Sequence, residues 1–218
     1  MVTCRAFVTR WRRSLSATDA KDGFALFDRL AALVGFTVLS PVMALIAVMV
    51  KLDSPGSVLF TQDRVGRGEK LFKMYKFRTM RSNAHQEWHP PQRVNDFSTF
   101  VFHSIWPDKR ITKLGRILRK SSLDELPQLV NVIKGDMKIV GPRPDEKYLV
   151  DQYAPEFHRR HDVRPGITGL AQVNGRSDLT YSQMMAYDLE YVDHHPFRRD
   201  LSILARTLRV VARSEGAR

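Results

Sequence analysis

Between Leu30 and Val50 the chain carries no charge, and only Thr37 and Ser40 are polar. A run of about 20 apolar residues is long enough to cross a bilayer as a helix. Ser40-Pro41 sits inside that run. Proline has no N–H to donate and its ring crowds the preceding turn, so the helix is expected to bend or break there. Each half would then be about 10 residues long, too short to span alone. Arg5, Arg10, Arg12, Arg13 and Lys21 precede the run, and Lys51, Arg64, Arg67 and Lys70 follow it. Basic flanks on both sides favour a cytoplasmic position for both ends. The expectation is a re-entrant pair of half-helices broken at Ser40 and Pro41, ahead of a straight span or a buried core helix. Lys51-Leu52-Asp53 does not resemble the small-residue end of a cleavable signal peptide.

After the turn cluster Asp53-Ser54-Pro55-Gly56-Ser57, two short strands are predicted at Val58–Gln62 and Leu71–Phe77, joined through Val65-Gly66-Arg67-Gly68. Arg81–Pro107 is polar, dotted with aromatics and without periodicity, and reads as a long loop. Ile111, Leu114 and Leu118 fall at helical spacing within Ile111–Lys120. Ser122-Leu123-Asp124-Glu125 fits a capping box before a helix that ends at Gly135; Pro127 belongs in a first turn, which pulls the helix start toward Asp124, and either start leaves Asp124 and Glu125 at a helix N-terminus. A helix interrupted by Pro155 is expected over Asp145–His161, and further helices over Tyr181–Val192 and Leu201–Val211. The last is amphipathic, suited either to the core or to a membrane interface.

Composition sharpens this picture. The chain has 218 residues, 43% of them hydrophobic, enough for one packed domain and an appendage. Its 35 Lys and Arg against 23 Asp and Glu give a net charge of +12, which favours polyanionic partners. One cysteine, Cys4, excludes an internal disulfide. No Walker A sequence, strand-linked GxGxxG, HExxH or paired CxxC is present, and His194-His195 before Pro196 reads as a surface turn rather than a metal site.

Two sets of residues could carry chemistry. Asp124 and Glu125 lie at a predicted helix N-terminus beside Arg119 and Lys120, where the dipole and the cations favour ionised carboxylates. An ionised Asp can be a nucleophile and a neighbouring Glu can hold a divalent metal, although both could simply cap the helix. Lys76, Arg78, Arg119, Arg143, Arg164 and Arg176 each sit beside a turn or a rigid Pro/Gly segment, and as a set they favour a diphosphate or nucleotide site. Tyr75, Phe77, Phe97, Phe100, Phe102 and Trp106 read mostly as core.

Read in order, the segments resemble the bacterial sugar transferase family of monotopic polyprenyl-phosphate phosphoglycosyl transferases. The matching pieces are Phe27-Asp28-Arg29, Ser40-Pro41, Lys51 to Gly56, Gln62 to Gly66, and Tyr75 to Met80. They continue with Ser122 to Gln128, Lys134 to Met137, Gly141 to Pro144, Val163 to Gly169, and Gln172 to Arg176. The resemblance implies a re-entrant hairpin at Ser40-Pro41. It implies a nucleophile at Asp124, which takes the phosphosugar from a UDP-sugar and passes it to undecaprenyl phosphate. It implies Mg²⁺ held by Glu125 with Asp124. Lys76, Arg78, Arg119, Arg143 and Arg164 become candidates for phosphate contact or for tying the site to the hairpin, with Gln172 and Arg176 on the nucleotide side. Two departures stand out: Arg81–Pro107 is longer and more aromatic than expected, and only about two dozen residues precede the hairpin, too few for a further span with its loops.

The expected fold is α+β and mainly helical. A basic segment over 1–23 and a membrane hairpin over 24–52 precede a cytoplasmic catalytic domain over 53–218 with a short β-hairpin and amphipathic interfacial helices. The implied location is the inner face of a bacterial inner membrane, with its lipids as partners and no nucleic acid. A homodimer and the identity of the sugar stay open. A basic, membrane-tethered nucleic-acid-binding protein or scaffold is the alternative, without a recognisable nucleic-acid motif to support it.

Overall fold

The structure, a computed structural model, describes residues 25–82, 84, 94, 96–101, 108–194 and 197–213. The basic start with Cys4, most of the 81–107 segment including Phe102 and Trp106, and His195-Pro196 lie outside the described residues.

The apolar run forms α1 (Ala25–Asp53), one helix of 29 residues that continues through Pro41. The expected break into two half-helices is therefore not found in the hydrogen-bonded helix itself. The reason lies in the residue before the proline. Pro41 cannot donate to the Thr37 carbonyl four residues back, and the Ser40 hydroxyl donates to that carbonyl instead, at 2.8 Å. The Thr37 hydroxyl donates in turn to the Leu33 carbonyl at 2.9 Å, a contact that bends helices. A neighbouring hydroxyl is how an apolar helix tolerates proline where water cannot serve the orphaned group.

α1 packs along the domain by one narrow face. Ala32 meets Met74, Val132 and Met137, while Ile46 and Val50 meet Phe77 and Leu118. Only 11% of its most apolar stretch is buried. Val34, Val38, Leu45, Val48 and Leu52 lie on the outside. A helix serving a soluble core would bury most of such residues, each worth about 1.5–3 kcal/mol when removed from water. A contiguous exposed apolar face of this size calls for another apolar medium.

Both ends of α1 are fastened to the same domain. At its start Phe27 stacks edge-on to Phe197 at 5.8 Å, and the buried Asp28 lies in the field of Lys138, Asp200 and Arg164. At its end the Arg78 guanidinium donates to the carbonyls of Val50 (3.1 Å), Ser54 (2.6 Å) and Pro55 (2.9 Å). These are helix-terminal and turn carbonyls that would otherwise lack a donor.

Beyond α1, β1 (Leu59–Val65) and β2 (Leu71–Phe77) form an antiparallel hairpin, with Leu59 opposite Phe77 and Val65 opposite Leu71. A 3₁₀ turn at Arg67–Glu69 joins them. α2 (Lys113–Ser121) follows, then a 3₁₀ turn at Leu123–Glu125 and α3 (Gln128–Lys134). The continuous helix predicted to begin at Ser122 or nearer Asp124 is thus two pieces. Ser122 is not a capping-box residue; it takes a left-handed conformation (φ 57°) that ends α2, and Pro127 delays α3.

β3 (Lys138–Val140) pairs in parallel with β4 (Gly166–Thr168), a sheet the sequence pattern does not announce. The helix expected over Asp145–His161 is instead the single turn α4 (Lys147–Val150) and a 3₁₀ helix at Pro155–Asp162, because Pro155 starts a new element. α5 (Leu170–Val173), a 3₁₀ turn at Arg176–Asp178, α6 (Tyr181–Asp193) and α7 (Phe197–Arg213) complete the order. α6 carries a full capping box of Thr180 and Gln183. α7 buries Ile203 while Leu201 and Leu208 stay exposed. The fold is mainly helical with small sheets, as expected.

α2 lies so close to the chain after β2 that a Cβ on Gly115 would stand 2.0 Å from the Thr79 carbonyl oxygen. Backbone cannot yield there, so Gly115→Ala is expected to cost about 1–3 kcal/mol. Chemical unfolding in detergent measures this; unchanged stability would show that α2 moves freely.

Candidate active site

The turn between α2 and α3 delivers Asp124 and Glu125 into a basic pocket. Glu125 Oε1 accepts from Lys76 Nζ at 3.1 Å and from an Arg143 N–H at 2.7 Å. Among the described residues its Oε2 has only a long Arg143 contact of 3.4 Å. Asp124 is buried, yet among the described residues no hydrogen bond reaches its carboxylate. Two adjacent acids thus occupy opposite environments.

Their ionisation follows. Burial, and next the Glu125 charge, push the Asp124 carboxyl up to about 6 against the pull of Lys76, Arg119 and Arg143. Burial works against ionised Glu125 too, but Arg143 and Lys76 outweigh it and hold its carboxyl far below the usual range. Lys76 is lowered by burial and by Arg143, whereas Arg143 is raised by Glu125.

Each cation is placed by a second layer. Lys76 sits on β2, and β2 is pinned to α3 by the fully buried Asn131. Its side chain accepts from the Tyr75 N–H at 3.1 Å and donates to the Lys73 carbonyl at 2.7 Å. Arg119 donates through Nε to the Thr79 hydroxyl at 2.9 Å, with its charge acting on Asp124. The Arg143 carbonyl accepts from Arg160 at 2.6 Å. Arg160 also pairs with Asp145 and with Asp188 (2.6 Å), and Tyr153 and Tyr181 donate to Asp145. Arg64 grips the same segment through Glu146 at 3.2 Å and the Pro144 carbonyl at 3.3 Å.

Of the residues singled out in the sequence, Asp124, Glu125, Lys76, Arg119 and Arg143 are brought together. Arg176 joins them. Its backbone is left-handed (φ 50°), one N–H donates to the Ser122 hydroxyl at 3.0 Å, and its charge acts on Glu125 and Asp124. Its other terminal nitrogen is buried without a partner among the described residues, as is Gln172 Oε1 on α5. Arg78 is directed to the carbonyls ending α1, which ties the end of β2 to the apolar helix, and the charge of Arg164 acts on Asp28 at the start of α1. Sequence reading missed Arg64, Asn131, Asp145 and Arg160. Of these, only the cluster Arg159-Arg160-His161 next to Val163-Arg164-Pro165 carried a visible signal.

The sequence pattern of the bacterial sugar transferase family matches residues 23–214, and the chain belongs to that family. It is 40% identical over 197 residues to a UDP-N-acetylgalactosamine-undecaprenyl-phosphate N-acetylgalactosaminephosphotransferase of Aeromonas hydrophila, over 88% of this chain and 44% of that protein. It is 39% identical over 208 residues to the exopolysaccharide production protein ExoY of Sinorhizobium fredii, over 88% of this chain and 86% of that one. A third similarity, 39% over 198 residues, is to an undecaprenyl-phosphate galactose phosphotransferase of Salmonella typhimurium, over 88% of this chain and 40% of that protein. The chain therefore spans less than half the length of the two phosphotransferases and most of ExoY.

Because Arg160 is fully engaged between two buried carboxylates, Arg160→Met is expected to cost about 3–5 kcal/mol by leaving uncompensated charge. Thermal unfolding at neutral pH reads the loss; a melting temperature within error of the parent would remove Arg160 from its place as the hub.

Proposed function

We propose that this protein transfers a sugar-1-phosphate from a UDP-sugar to undecaprenyl phosphate at the inner face of a bacterial inner membrane, priming exopolysaccharide or another surface glycan. The observation that carries this reading is the split environment of the acid pair: Glu125 locked by Lys76 and Arg143, Asp124 buried beside the same cations and, among the described residues, without a donor. The similarity to two undecaprenyl-phosphate sugar phosphotransferases and to an exopolysaccharide production protein supports the substrate class.

In the first step an Asp124 carboxylate oxygen attacks the β-phosphorus of the UDP-sugar. The bond from that phosphorus to the bridging oxygen breaks, and UMP leaves with the electron pair. The sugar phosphate stays on Asp124 as an acyl phosphate. In the second step a phosphate oxygen of undecaprenyl phosphate attacks the same phosphorus. The bond to Asp124 breaks, and undecaprenyl-diphosphate-sugar forms. Lys76, Arg119, Arg143 and Arg176 surround the reacting phosphate with fixed positive charge, which stabilises the charge that develops there. The donor set also suits Mg²⁺, a hard cation that takes oxygen ligands. Glu125 Oε2, held only at 3.4 Å, and the Asp124 carboxylate would hold it. When bound, Mg²⁺ neutralises diphosphate oxygens.

The same reading makes the membrane attachment monotopic. A helix of 29 residues is about 43 Å long, and the hydrocarbon core of a bilayer is about 30 Å thick. A straight crossing would carry one end away from the domain, yet Phe27 and Asp28 at one end and Val50 to Pro55 at the other engage the same domain. The exposed apolar face then lies in the membrane while both ends stay on the cytoplasmic side.

Asp124→Asn is expected to abolish UMP release and any labelled adduct on the peptide containing position 124, with membrane association retained; near-normal turnover would overturn the mechanism. The nucleophile is protonated below about pH 6 and ionised above it, so single-turnover rates should rise with pH across that value. Lys76→Met removes a charge that lowers the Asp124 carboxyl, so the midpoint should move upward. A downward or unchanged midpoint contradicts the assignment. Cysteines introduced at Leu26 and Ser57 should both resist an impermeant reagent from outside the cell; labelling of one of them would replace the monotopic reading with a span.

A further inference from the structure

A second cluster of ligating side chains lies outside the acid pair, where the tip of the β1–β2 hairpin meets the 3₁₀ helix Pro155–Asp162. His158 and His161 are three residues apart. In a 3₁₀ helix, with three residues per turn, side chains at that spacing stand on one face. Glu69 comes to them from the hairpin turn. Its backbone is left-handed at φ 60° without being glycine, a conformation that surrounding structure must hold in place.

One ligand atom from each of Glu69, His158 and His161 lies within 4.8 Å of the other two. Glu69 Oε1 and His158 Nδ1 are 2.6 Å apart. His161 is buried, 7% exposed, with its ring stacked on Tyr153 at 6.0 Å. Its Nδ1 has no hydrogen-bond partner among the described residues. A buried imidazole nitrogen without a donor or acceptor is costly, and a metal ion would relieve it. Arg160, whose charge acts on His161, is already paired with Asp145 and Asp188, which limits its repulsion of an incoming ion.

We propose that Glu69, His158 and His161 form a binding site for a divalent transition metal of the zinc class. Two imidazoles and one carboxylate are a borderline-soft donor set that suits Zn²⁺ better than Mg²⁺, and they leave a fourth position for water. The ion clamps the hairpin turn onto the 3₁₀ helix. That helix contains Arg160, whose hydrogen bond to the Arg143 carbonyl supports the arginine on Glu125. Occupancy of the site therefore stiffens the layer behind the acid pair.

The purified full chain in detergent, with Mg²⁺ present in excess, is titrated with Zn²⁺ and separately with Co²⁺. Zn²⁺ should raise the melting temperature by several degrees, and Co²⁺ should give the visible absorption of a low-coordinate site. Glu69→Gln and His158→Gln change side chains that are half and about a third exposed, so both variants should fold. Each should weaken Zn²⁺ binding by more than the roughly tenfold that even supporting residues cost. Asp124→Asn should keep the full Zn²⁺ response, which separates this site from the acid pair. No Zn²⁺ response in the parent protein, or an undiminished one in the Glu69→Gln, His158→Gln double variant, overturns the proposal.

Discussion

Two carboxylates on consecutive residues, both turned into one pocket, repel each other, and the structure is organised around settling that conflict. Like charges about 4 Å apart interact by about 4 kcal/mol at the effective dielectric near a protein surface. The pocket does not share its cations equally. Lys76 and Arg143 both grip Glu125, and Asp124 is left with their field but none of their hydrogen bonds. One acid becomes a fixed anion and the other a group that titrates near neutrality. Environments that drive two neighbouring acids apart are a usual route to dividing roles between them.

That division needs the cations to be immovable, and most of the remaining polar interior serves this end. Asn131 fixes β2, and so Lys76, against α3. Arg160 fixes the Arg143 backbone from behind while its own charge is matched by Asp145 and Asp188. The glycines of the parallel sheet allow the supporting segments to close up. A Cβ on Gly166 would stand 2.1 Å from the Gly141 nitrogen. Buried networks of this kind rigidify a site where their members are paired; among the described residues one Asp188 carboxylate oxygen is left without a partner.

Much of this was legible in the sequence wherever local chemistry dictates the outcome. The apolar run, the β1–β2 pair, the helix before Ser122 and the final amphipathic helix follow from periodicity. The acid pair and its arginines follow from charge beside rigid segments. The parallel pairing of β3 with β4 was not legible, because strands of three residues carry no period and their partners lie far apart in the chain. Ser122 misled for a related reason: a serine three residues before an acid satisfies the capping pattern, yet here the left-handed turn that ends α2 prevails. Arg78 looked like a phosphate ligand by its position, but the unpaired carbonyls at the end of α1 claim it. Asp145 was invisible, and Arg160 showed only as one of a basic cluster, because a buried ion pair is made by tertiary approach and leaves no local spacing behind.

The double attachment of α1 has a geometric meaning for catalysis at an interface. A helix held at Phe27 and again at Val50 is a strut, and a strut sets a height. On the proposed monotopic reading, the acid pair cannot drift away from the lipid surface without tearing one of those anchorages. On that same reading the proposed lipid acceptor, confined to the leaflet, needs to find the protein only by lateral diffusion, with its head group already at the right level, and the search collapses from a volume to a plane.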